Sequence, residues 1–442
     1  MHDASALNAD PRRTVLVELY ATACAAVDGR RAVRSALAGA GIDGDWWLLA
    51  IGKAASAMAL GACDVLGARV VRGLIVSRPD HFDVELTALP ALQCLAGDHP
   101  LPGAASLAAG ARVREFAAAA PAGQRVLVLV SGGASSLVEA LPAGVGAEEL
   151  RRFNEWGIGS GLDIVALNGL RGRLSLLKAG RLASALAHTA ARALLISDVP
   201  GDDPAVIGSG LVRAAPAAAP APAPPRTAAG RTAAASALRP ASADETPDWV
   251  TALLARAGEL PPGAALPAML VATLGDALAA AERHANERGF SVRRLAPHAA
   301  GDALSAAHRF AHELVLSAED VLLWGGETTV RLPAAPGRGG RNQHFALGAA
   351  RLIAGHADLV ILAAGTDGTD GNSNDAGAVV DGGTLARAAA AGRGVEAALA
   401  AADSGSCLEA SGDLLHTGPT GTNVGDLFIG LRQAPGPPAE AE

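Results

Sequence analysis

The first half of the chain alternates short apolar runs with alanine-rich amphipathic stretches, and this alternation is the strongest constraint on its fold. WWLLAI (46–51) is followed by a helix-like stretch at 54–66. RVLVLV (125–130) leads through SGG (131–133) into another helix, and ARALLIS (191–197) ends in a polar loop. Strands separated by helices pair in parallel through right-handed crossovers. The sequence therefore predicts an α/β domain with a parallel sheet, whose ligands should gather at the carboxyl ends of the strands.

The second half carries further strand and helix signals. Residues 267–297 predict a strand, a helix and a strand, and VLLWGGETTVRL (321–332) predicts a hairpin closed by its Gly-Gly pair. GRGGRNQHFALGAARLIAG (337–355) predicts a loop that opens a helix, and LVILAAG (359–365) predicts a strand that enters a polar loop. The second half is therefore also of α/β type.

A segment rich in proline and alanine separates the two halves. Residues 213–247 contain few large apolar side chains, so they cannot bury a core and are predicted to form a linker or loop. A length of 442 residues, half of them apolar, leaves room for a core on each side. We divide the chain into an N-terminal α/β domain (10–212), this linker, and a C-terminal part (248–434).

Charge and cysteine usage exclude several classes of protein. The chain has 36 Lys and Arg against 44 Asp and Glu, a net charge of −8, which argues against nucleic acid as a partner. It has no long uncharged apolar run, so no membrane partner is expected, and Asp10-Pro11 predicts the start of an N-terminal helix. The cysteines form no CxxC pair, which favours reduced thiols and a cytoplasmic location. They are Cys24, Cys63, Cys94 and Cys407.

Three glycine-rich segments are candidate anion sites. SGGASS (131–136) follows a strand and opens a helix, where free backbone N–H groups bind phosphate or carboxylate; an ordinary tight turn is the equally weighted alternative. GRGGRNQ (337–343) and GPTGTN (418–423) combine flexible glycines with donor side chains, and solvated surface turns are their alternative. The chain has neither GxxxxGK[ST] nor GxGxxG after a strand, which excludes an ordinary P-loop and weakens a nicotinamide-dependent reductase.

Carboxylates and one lysine complete the candidate set. DVPGDD (198–203) and GTDGTDGNSND (365–375) place six aspartates at strand ends, a donor type that suits Mg²⁺ bound with substrate phosphates; Asx-turns and helix caps are the alternative. Histidines do not cluster, so a zinc site is not expected. Lys53 follows a strand directly and is either a charge aimed into the cleft or a surface lysine. The aspartates are Asp198, Asp202, Asp203, Asp367, Asp370 and Asp375.

Taken together, these segments resemble the glycerate 2-kinase family, whose C-terminal half is the MOFRL domain, over about residues 14–430. The resemblance implies a larger N-terminal α/β domain and a smaller C-terminal α/β domain (about 320–430), with the active site in the cleft between them. It implies an ATP- and Mg²⁺-dependent transfer of phosphate to the 2-hydroxyl of glycerate, which gives 2-phosphoglycerate and ADP. The segments are LLAIGKAASAM (48–58), GDHPLP (97–102), SGGASSL (131–137), KAGRLA (178–183), SDVPGDDP (197–204), GGETTVRL with GRGGRNQHFALG (325–348), AAGTDGTDG (363–371) and GDLLHTGPTGTNVGDL (412–427).

The resemblance and the residue chemistry together give a set of site residues. The family's functional lysine and arginine fall on Lys53 and Arg341. Asp198, Asp202 or Asp367 could accept the hydroxyl proton or hold Mg²⁺; we assign Asp198 to catalysis and the other two to the metal. The residues expected to bind substrate or phosphate are Ser131, Gly132, Gly133, Arg171, Lys178, Arg338, Asn342, Gln343, Thr420, Gly421, Thr422 and Asn423.

The chain departs from the family in its basic run. NGLRGRLSLLKAGRL (168–182) has Gly172 and Arg173 where the family has Lys and His. Losing one cation from a carboxylate clamp weakens binding more than turnover, so a raised KM for glycerate is expected unless Arg173 supplies the charge. Alternative functions are a kinase for another small hydroxy acid, a hydroxypyruvate reductase and a catalytically weakened paralogue. The expected assembly is a monomer or homodimer.

Overall fold

The computed structural model describes residues 10–39, 41–159, 164–214 and 246–433. The predicted linker, 213–247, lies outside the described residues except for two at each end. The strands are β1 (Trp46–Ile51), β2 (Val70–Ser77), β3 (Leu92–Ala96), β4 (Arg125–Val130), β5 (Ala190–Ile196), β6 (Ala268–Ala272), β7 (Val292–Arg294), β8 (Ala299–Asp302), β9 (Val321–Thr329), β10 (Leu359–Gly365), β11 (Gly377–Asp381), β12 (Leu414–Leu415) and β13 (Asp426–Arg432). The helices are α1 (Pro11–Ala26), α2 (Gly29–Leu37), α3 (Ala55–Leu66), α4 (Val84–Thr87), α5 (Ala104–Ala119), α6 (Ala134–Leu137), α7 (Ala147–Gly159), α8 (Ile164–Gly172), α9 (Arg181–Ala185), α10 (Asp248–Ala257), α11 (Leu274–Glu287), α12 (Ala303–Leu316), α13 (Arg341–Leu352), α14 (Thr384–Ala390), α15 (Val395–Ala400) and α16 (Ser404–Ser411).

The first sheet is parallel, as predicted. Its six strands run in the order β3-β2-β1-β4-β5-β6, and every neighbouring pair is parallel. All six residues of β1 are buried, because helices cover both faces of the sheet and a continuous apolar run is then required. The chain order reverses between β1 and β4. In open α/β sheets such a reversal creates a crevice at the carboxyl ends of the two strands, where ligands bind.

The second sheet is mixed and forms the C-terminal core. Its strands run in the order β12-β11-β10-β13-β9-β7, with β8 paired to β9; β10 and β13 are antiparallel, whereas β7 and β9 are parallel. Four aromatic side chains, Phe310, Trp324, Phe345 and Phe428, pack together on one face. The rings of Phe345 and Phe428 stack with centroids 4.1 Å apart. The core thus concentrates the few aromatics that the chain has.

The hairpin predicted over 321–332 is wrong, because β9 continues as one strand through the Gly-Gly pair. A Cβ atom at Gly325 would lie 2.8 Å from a methyl carbon of Leu274, and one at Gly326 would lie 2.1 Å from the backbone oxygen of Ala299. The two glycines therefore allow α11 and β8 to approach the strand closely. In the sequence, this packing requirement resembles a turn signal.

The predicted division at residue 248 does not coincide with the structural halves. β6, which the sequence assigns to the C-terminal part, completes the first sheet, and α10 packs against α7 and α8. Conversely, α1 reaches the second sheet: Arg13 forms ion pairs with Asp381 and Asp413, and the Tyr20 hydroxyl donates to the Gly365 carbonyl at 2.7 Å. The start of the C-terminal part thus joins the first sheet and the start of the N-terminal domain contacts the second, which a change of composition at 213–247 could not indicate.

The predicted start of the N-terminal helix is confirmed. The Asp10 carboxylate accepts the Arg12 backbone N–H at 2.9 Å, so Asp10 caps α1 and Pro11 is its first residue. All four cysteines are free thiols. Within the described residues, no helix has the length and apolarity needed to span a membrane.

Candidate active site

A polar cleft of about 350 Å³ lies at the carboxyl ends of β1, β4 and β5, and loops of the second sheet close it from the other side. The first sheet contributes a lysine, a histidine, a glycine-rich turn and an aspartate, whereas the second contributes an arginine, a glutamate and an amide. Seven residues predicted from the sequence line this cleft. They are Lys53, Gly133, Arg171, Lys178, Asp198, Arg341 and Asn423.

Lys53 is held by backbone contacts between the turns that follow β1 and β4. Gly52 has φ +135°, and a Cβ atom there would lie 2.1 Å from Ser131 Oγ, so only glycine fits. The Lys53 backbone N–H donates to the Gly132 carbonyl at 2.9 Å, and Ser131 Oγ accepts the Ala54 N–H at 3.0 Å. Ser131 and Gly132 therefore support the lysine and are not cleft-lining residues themselves.

The Lys53 ammonium group is bound by a carboxylate of the second sheet's loops. Its Nζ atom lies 2.6 Å from Asp367 Oδ2, and both side chains are largely buried. Burial alone would raise the pKa of Asp367, but the charge and hydrogen bond of Lys53 lower it to about 2. The Asp367 carboxylate is therefore ionised at neutral pH, and its contact with Lys53 connects the two sides of the cleft.

Arg341 is the first residue of α13 and approaches the cleft from the opposite side. Its Nε donates to Asp426 Oδ2 and its Nη1 donates to Glu327 Oε1, each at 2.6 Å. Burial opposes the charge of the guanidinium, but Asp426 and Glu327 outweigh it and hold its pKa well above the usual value. These two contacts fix the orientation of the guanidinium plane.

Asp198 follows β5 and lies against the turn after β4. Asn423 Nδ2 approaches its Oδ2 at 3.4 Å, and Glu327 is a second acid nearby. Burial, followed by the charge of Glu327, raises the pKa of Asp198 to about 7. A carboxylate with such a pKa can take up and release a proton at neutral pH.

The absence of a side chain at Gly132 leaves room for Asp198 and Asn423, and Gly132→Ala is expected to displace both. A Cβ atom at Gly132 would lie 2.0 Å from Asn423 Nδ2 and 2.1 Å from Asp198 Oδ2, so both side chains must move. We expect kcat/KM to fall at least tenfold. The matched control is Gly275→Ala, where the added Cβ meets no atom closer than 3.5 Å. Equal activity of the two variants in a steady-state assay would contradict this assignment.

Arg171 and Lys178 occupy the end of the cleft nearest α7 and α8. Lys178 Nζ lies 2.6 Å from Glu139 Oε2, and both side chains are almost fully buried. Arg171 donates through Nε to Asn154 Oδ1 at 3.3 Å and, among the described residues, has no carboxylate within ion-pair distance. Burial lowers the pKa of Arg171, because nothing in direct contact compensates its charge. It is therefore the cation best placed to accept an incoming anion.

Neither of the changed positions of the basic run lines the cleft. Arg173 is exposed and does not line the cleft, so the structure does not support the hypothesis that it replaces the missing cation. Gly172 is the last residue of α8, and a Cβ atom there would lie 3.2 Å from the Cβ of Ala179. The raised KM remains a prediction.

The structure places the other residues of the Gly/Arg loop outside the cleft. The Asp370 carboxylate caps α13 by accepting the backbone N–H groups of Asn342 at 3.1 Å and Gln343 at 2.8 Å. These amides are thus not free for a phosphate. Arg338 donates to Asp375 at 2.8 Å and to Glu409 at 2.7 Å, away from the cleft. In this loop, only Arg341 lines the cleft.

Most of GPTGTN (418–423) lies outside the cleft lining. The Gly421 carbonyl accepts the Gly29 N–H at 3.0 Å, and the Thr420 hydroxyl donates to the Thr366 carbonyl. Thr422 is buried and, like Thr420 and Gly421, does not line the cleft. The loop therefore places Asn423 at the cleft, and the other residues fix its position.

The aspartates predicted to bind metal do not come together. Asp367 is occupied by Lys53, and Asp202 is not part of the cleft lining. Across the described ranges, no group of three or more His, Cys, Asp or Glu side chains is arranged to hold a metal ion. The structure therefore gives no support to a metal site on Asp202 and Asp367.

Eight residues of the cleft lining were not among the predicted site residues, and three of these, His99, Glu327 and Asn154, bear on its chemistry. His99 and Glu327 belong to GDHPLP (97–102) and GGETTVRL (325–332), so the motifs contained them without indicating their role. Burial, followed by the Lys53 charge, lowers the pKa of His99 to about 3, so its ring is neutral. Asn154 lies on α7, and the sequence around it carries no local signal.

Comparisons with known proteins agree with this architecture. Residues 15–246 match a domain of unknown function, DUF4147, and residues 320–426 match the MOFRL family. D-glycerate 2-kinase of Thermotoga maritima is 32% identical, covering 95% of this chain and 98% of that protein. A crystal structure of glycerate kinase from the same organism superposes with a TM-score of 0.74 at 30% identity, covering 95% of this chain and 99% of that chain. A protein of Agrobacterium vitis, provisionally named a hydroxypyruvate reductase, is 35% identical, covering 94% of this chain and 93% of that protein. The chain thus belongs to the glycerate 2-kinase family.

Proposed function

We propose that this protein transfers the γ-phosphoryl group of ATP to the 2-hydroxyl of glycerate, giving 2-phosphoglycerate and ADP. The observation that carries the proposal is the convergence of Lys53, Arg341 and Asp198 on one cleft in a chain of this family. Phosphoryl transfer requires positioning and charge neutralisation more than covalent chemistry. Two fixed cations on opposite sides of the cleft, with a carboxylate between the loops, suit this reaction.

Each residue then has a defined role. Lys53 and Arg341 neutralise the charge that develops on the transferred phosphoryl group. Asp198 accepts the proton of the 2-hydroxyl as the oxygen attacks phosphorus, since its pKa of about 7 is matched to neutral pH. Arg171, with Lys178 beside it, binds the carboxylate of glycerate and thereby aims the hydroxyl at the phosphate.

Magnesium enters this proposal as part of the nucleotide substrate. Mg²⁺ is usually bound through one or two carboxylates together with substrate phosphates, and it does not need a closed protein cage. Glu327 is the exposed carboxylate of the cleft and would be the residue to contact MgATP from the second sheet. A cytoplasmic location and a monomeric or homodimeric assembly remain predictions from the sequence.

A reductase is the competing hypothesis that the relatives' names raise. The strand order of the first sheet is one that dinucleotide-binding domains share, but a fold alone does not define a function. The turn after β1 has Gly52-Lys53 where a dinucleotide fingerprint would require GxGxxG. The site chemistry therefore favours phosphate over nicotinamide.

The decisive experiment offers the purified protein a panel of small hydroxy acids with ATP and Mg²⁺, and identifies the product by phosphorus NMR. We expect glycerate to be converted to the 2-phosphate with release of ADP. In parallel, hydroxypyruvate is added with NADH or NADPH. Oxidation of the nicotinamide without any phosphorylated product would overturn the kinase proposal, and turnover of another acid in preference to glycerate would reassign the substrate.

A further inference from the structure

We propose that Glu139 determines the substrate's charge class by leaving the carboxylate-binding end of the cleft with one net positive charge. This inference rests on the proposed function of the site and deepens it. The substrates selected are 2-hydroxy acids with a single carboxylate, and 2-hydroxy dicarboxylates are rejected. Glu139 acts through Lys178 and is a positioning residue.

Glu139 does not line the cleft itself but contacts Lys178, which does. It is 1% exposed, its Oε1 accepts the Ala140 backbone N–H at 2.9 Å, and its Oε2 lies 2.6 Å from Lys178 Nζ. Both oxygens are thus engaged by donors that fix the carboxylate. A buried carboxylate held in this way keeps its position when a ligand binds, so its charge acts on the ligand in every complex.

At the end of the cleft nearest α7 and α8, one cation is left without a carboxylate partner. Lys53 is paired with Asp367, and Arg341 is paired with Asp426 and Glu327. Lys178 is neutralised by Glu139. Of the cleft cations in the described part of the chain, Arg171 alone has no carboxylate at ion-pair distance. One carboxylate on the substrate is therefore enough to pair the remaining cation, Arg171.

A second carboxylate on the substrate would be unfavourable for two reasons. It would lose its hydration on entering a partly buried site, and it would meet no remaining unpaired cation there. Glu139 is the cause of the second effect, because its charge engages the Lys178 ammonium group that would otherwise bind the second carboxylate. The cleft thus rejects dicarboxylates because Glu139 keeps Lys178 from binding a second carboxylate.

The test compares glycerate with hydroxymalonate, in which a second carboxylate replaces the CH₂OH group. Glu139→Gln keeps the shape and the hydrogen-bonding oxygen but removes the charge, which leaves Lys178 and Arg171 both free. We expect the ratio of the affinity for hydroxymalonate to the affinity for glycerate to be at least tenfold higher in this variant than in the unaltered protein. Affinities for both acids are measured by calorimetry, in addition to steady-state KM values.

A double variant separates charge from structural damage. Glu139→Gln with Lys178→Met restores a single net positive charge, so the preference for the monocarboxylate should return. Glu148→Gln on the exposed face of α7 changes the total charge equally and should leave the preference unaltered. The proposal would be overturned if Glu139→Gln changed the affinities for both acids by the same factor. It would also be overturned if the preference for glycerate did not return in the double variant.

A variant on the neighbouring helix keeps the proposal testable if Glu139→Gln does not fold. Asn154→Asp would place a carboxylate on Arg171 Nε, where the amide oxygen now lies at 3.3 Å, and reduce the net charge to zero. We expect glycerate affinity to fall at least tenfold; unchanged affinity would overturn the charge-balance argument. All of these experiments measure binding, so they test the role of Glu139 even if the protein phosphorylates none of the acids. Absence of phosphorylation would contradict only the kinase proposal.

Discussion

Lys53→Ala and Arg341→Ala are each expected to lower kcat/KM by about two orders of magnitude or more, which corresponds to about 3 kcal/mol of transition-state stabilisation. Both cations are preorganised in the absence of substrate: Lys53 by Asp367 at 2.6 Å, and Arg341 by Asp426 and Glu327 at the same distance. A charge that is already oriented stabilises the transferring phosphoryl group without reorganisation during the reaction. Steady-state kinetics with glycerate and ATP measures the effect.

The matched control for Arg341→Ala is Arg338→Ala, three residues away in the same loop. Arg338 is also an arginine with two carboxylate partners, Asp375 and Glu409, but it faces away from the cleft. We expect Arg338→Ala to keep kcat/KM within a few-fold. Equal losses in both variants would mean that the loop as a whole, and not the cleft arginine, is required.

Lys53→Ala needs a different control, because it leaves the buried carboxylate of Asp367 without a partner. An unpaired buried charge destabilises the fold by itself. Combining Lys53→Ala with Asp367→Asn removes the isolated charge and should recover thermal stability, but it should not recover turnover. Recovery of turnover in the double variant would show that Lys53 serves only to neutralise Asp367.

Local patterns predicted the first sheet well because each strand carries its own signal. WWLLAI (46–51) and RVLVLV (125–130) are apolar throughout, as strands buried on both faces must be, and both form strands with these bounds. The prediction of a hairpin at 321–332 was wrong because, in a sequence, a glycine pair that forms a turn cannot be distinguished from one that allows close packing. Only the positions of Leu274 and Ala299 distinguish the two cases, and these are tertiary contacts.

The site was predictable where a loop follows a strand directly. Lys53 and Asp198 follow β1 and β5, and the shared edge of a parallel sheet brings them together. Asn342 and Gln343 were predicted to bind phosphate, but the structure engages their N–H groups with Asp370, some thirty residues later in the chain. Glu139 carries no local pattern at all, because its role depends on Lys178, which the fold brings into contact with it.

The last prediction concerns Asp198 as the proton acceptor. Asp198→Asn keeps the size of the side chain but cannot accept a proton, so we expect kcat to fall by about two to four orders of magnitude. Asp202→Asn, in the same loop but outside the cleft lining, is the matched control and should stay within a few-fold. Comparable losses in the two variants would indicate a general disturbance of the loop after β5.

The pH dependence gives Asp198 a signature that a purely structural role would lack. With a pKa raised to about 7, the reactive carboxylate form is lost below neutral pH, so kcat/KM should rise with pH up to about 7 and then level off.

The stability of the fold should depend on pH in the opposite direction. A carboxyl group whose pKa is raised by folding contributes stability at low pH, and that contribution is lost as pH rises from about 4 through about 7. Asp198→Asn avoids this loss, so its melting temperature should exceed that of the unaltered protein by a margin that grows between pH 5 and pH 8. A margin independent of pH would show that Asp198 is ionised throughout this range, and that the hydroxyl proton must go to another group.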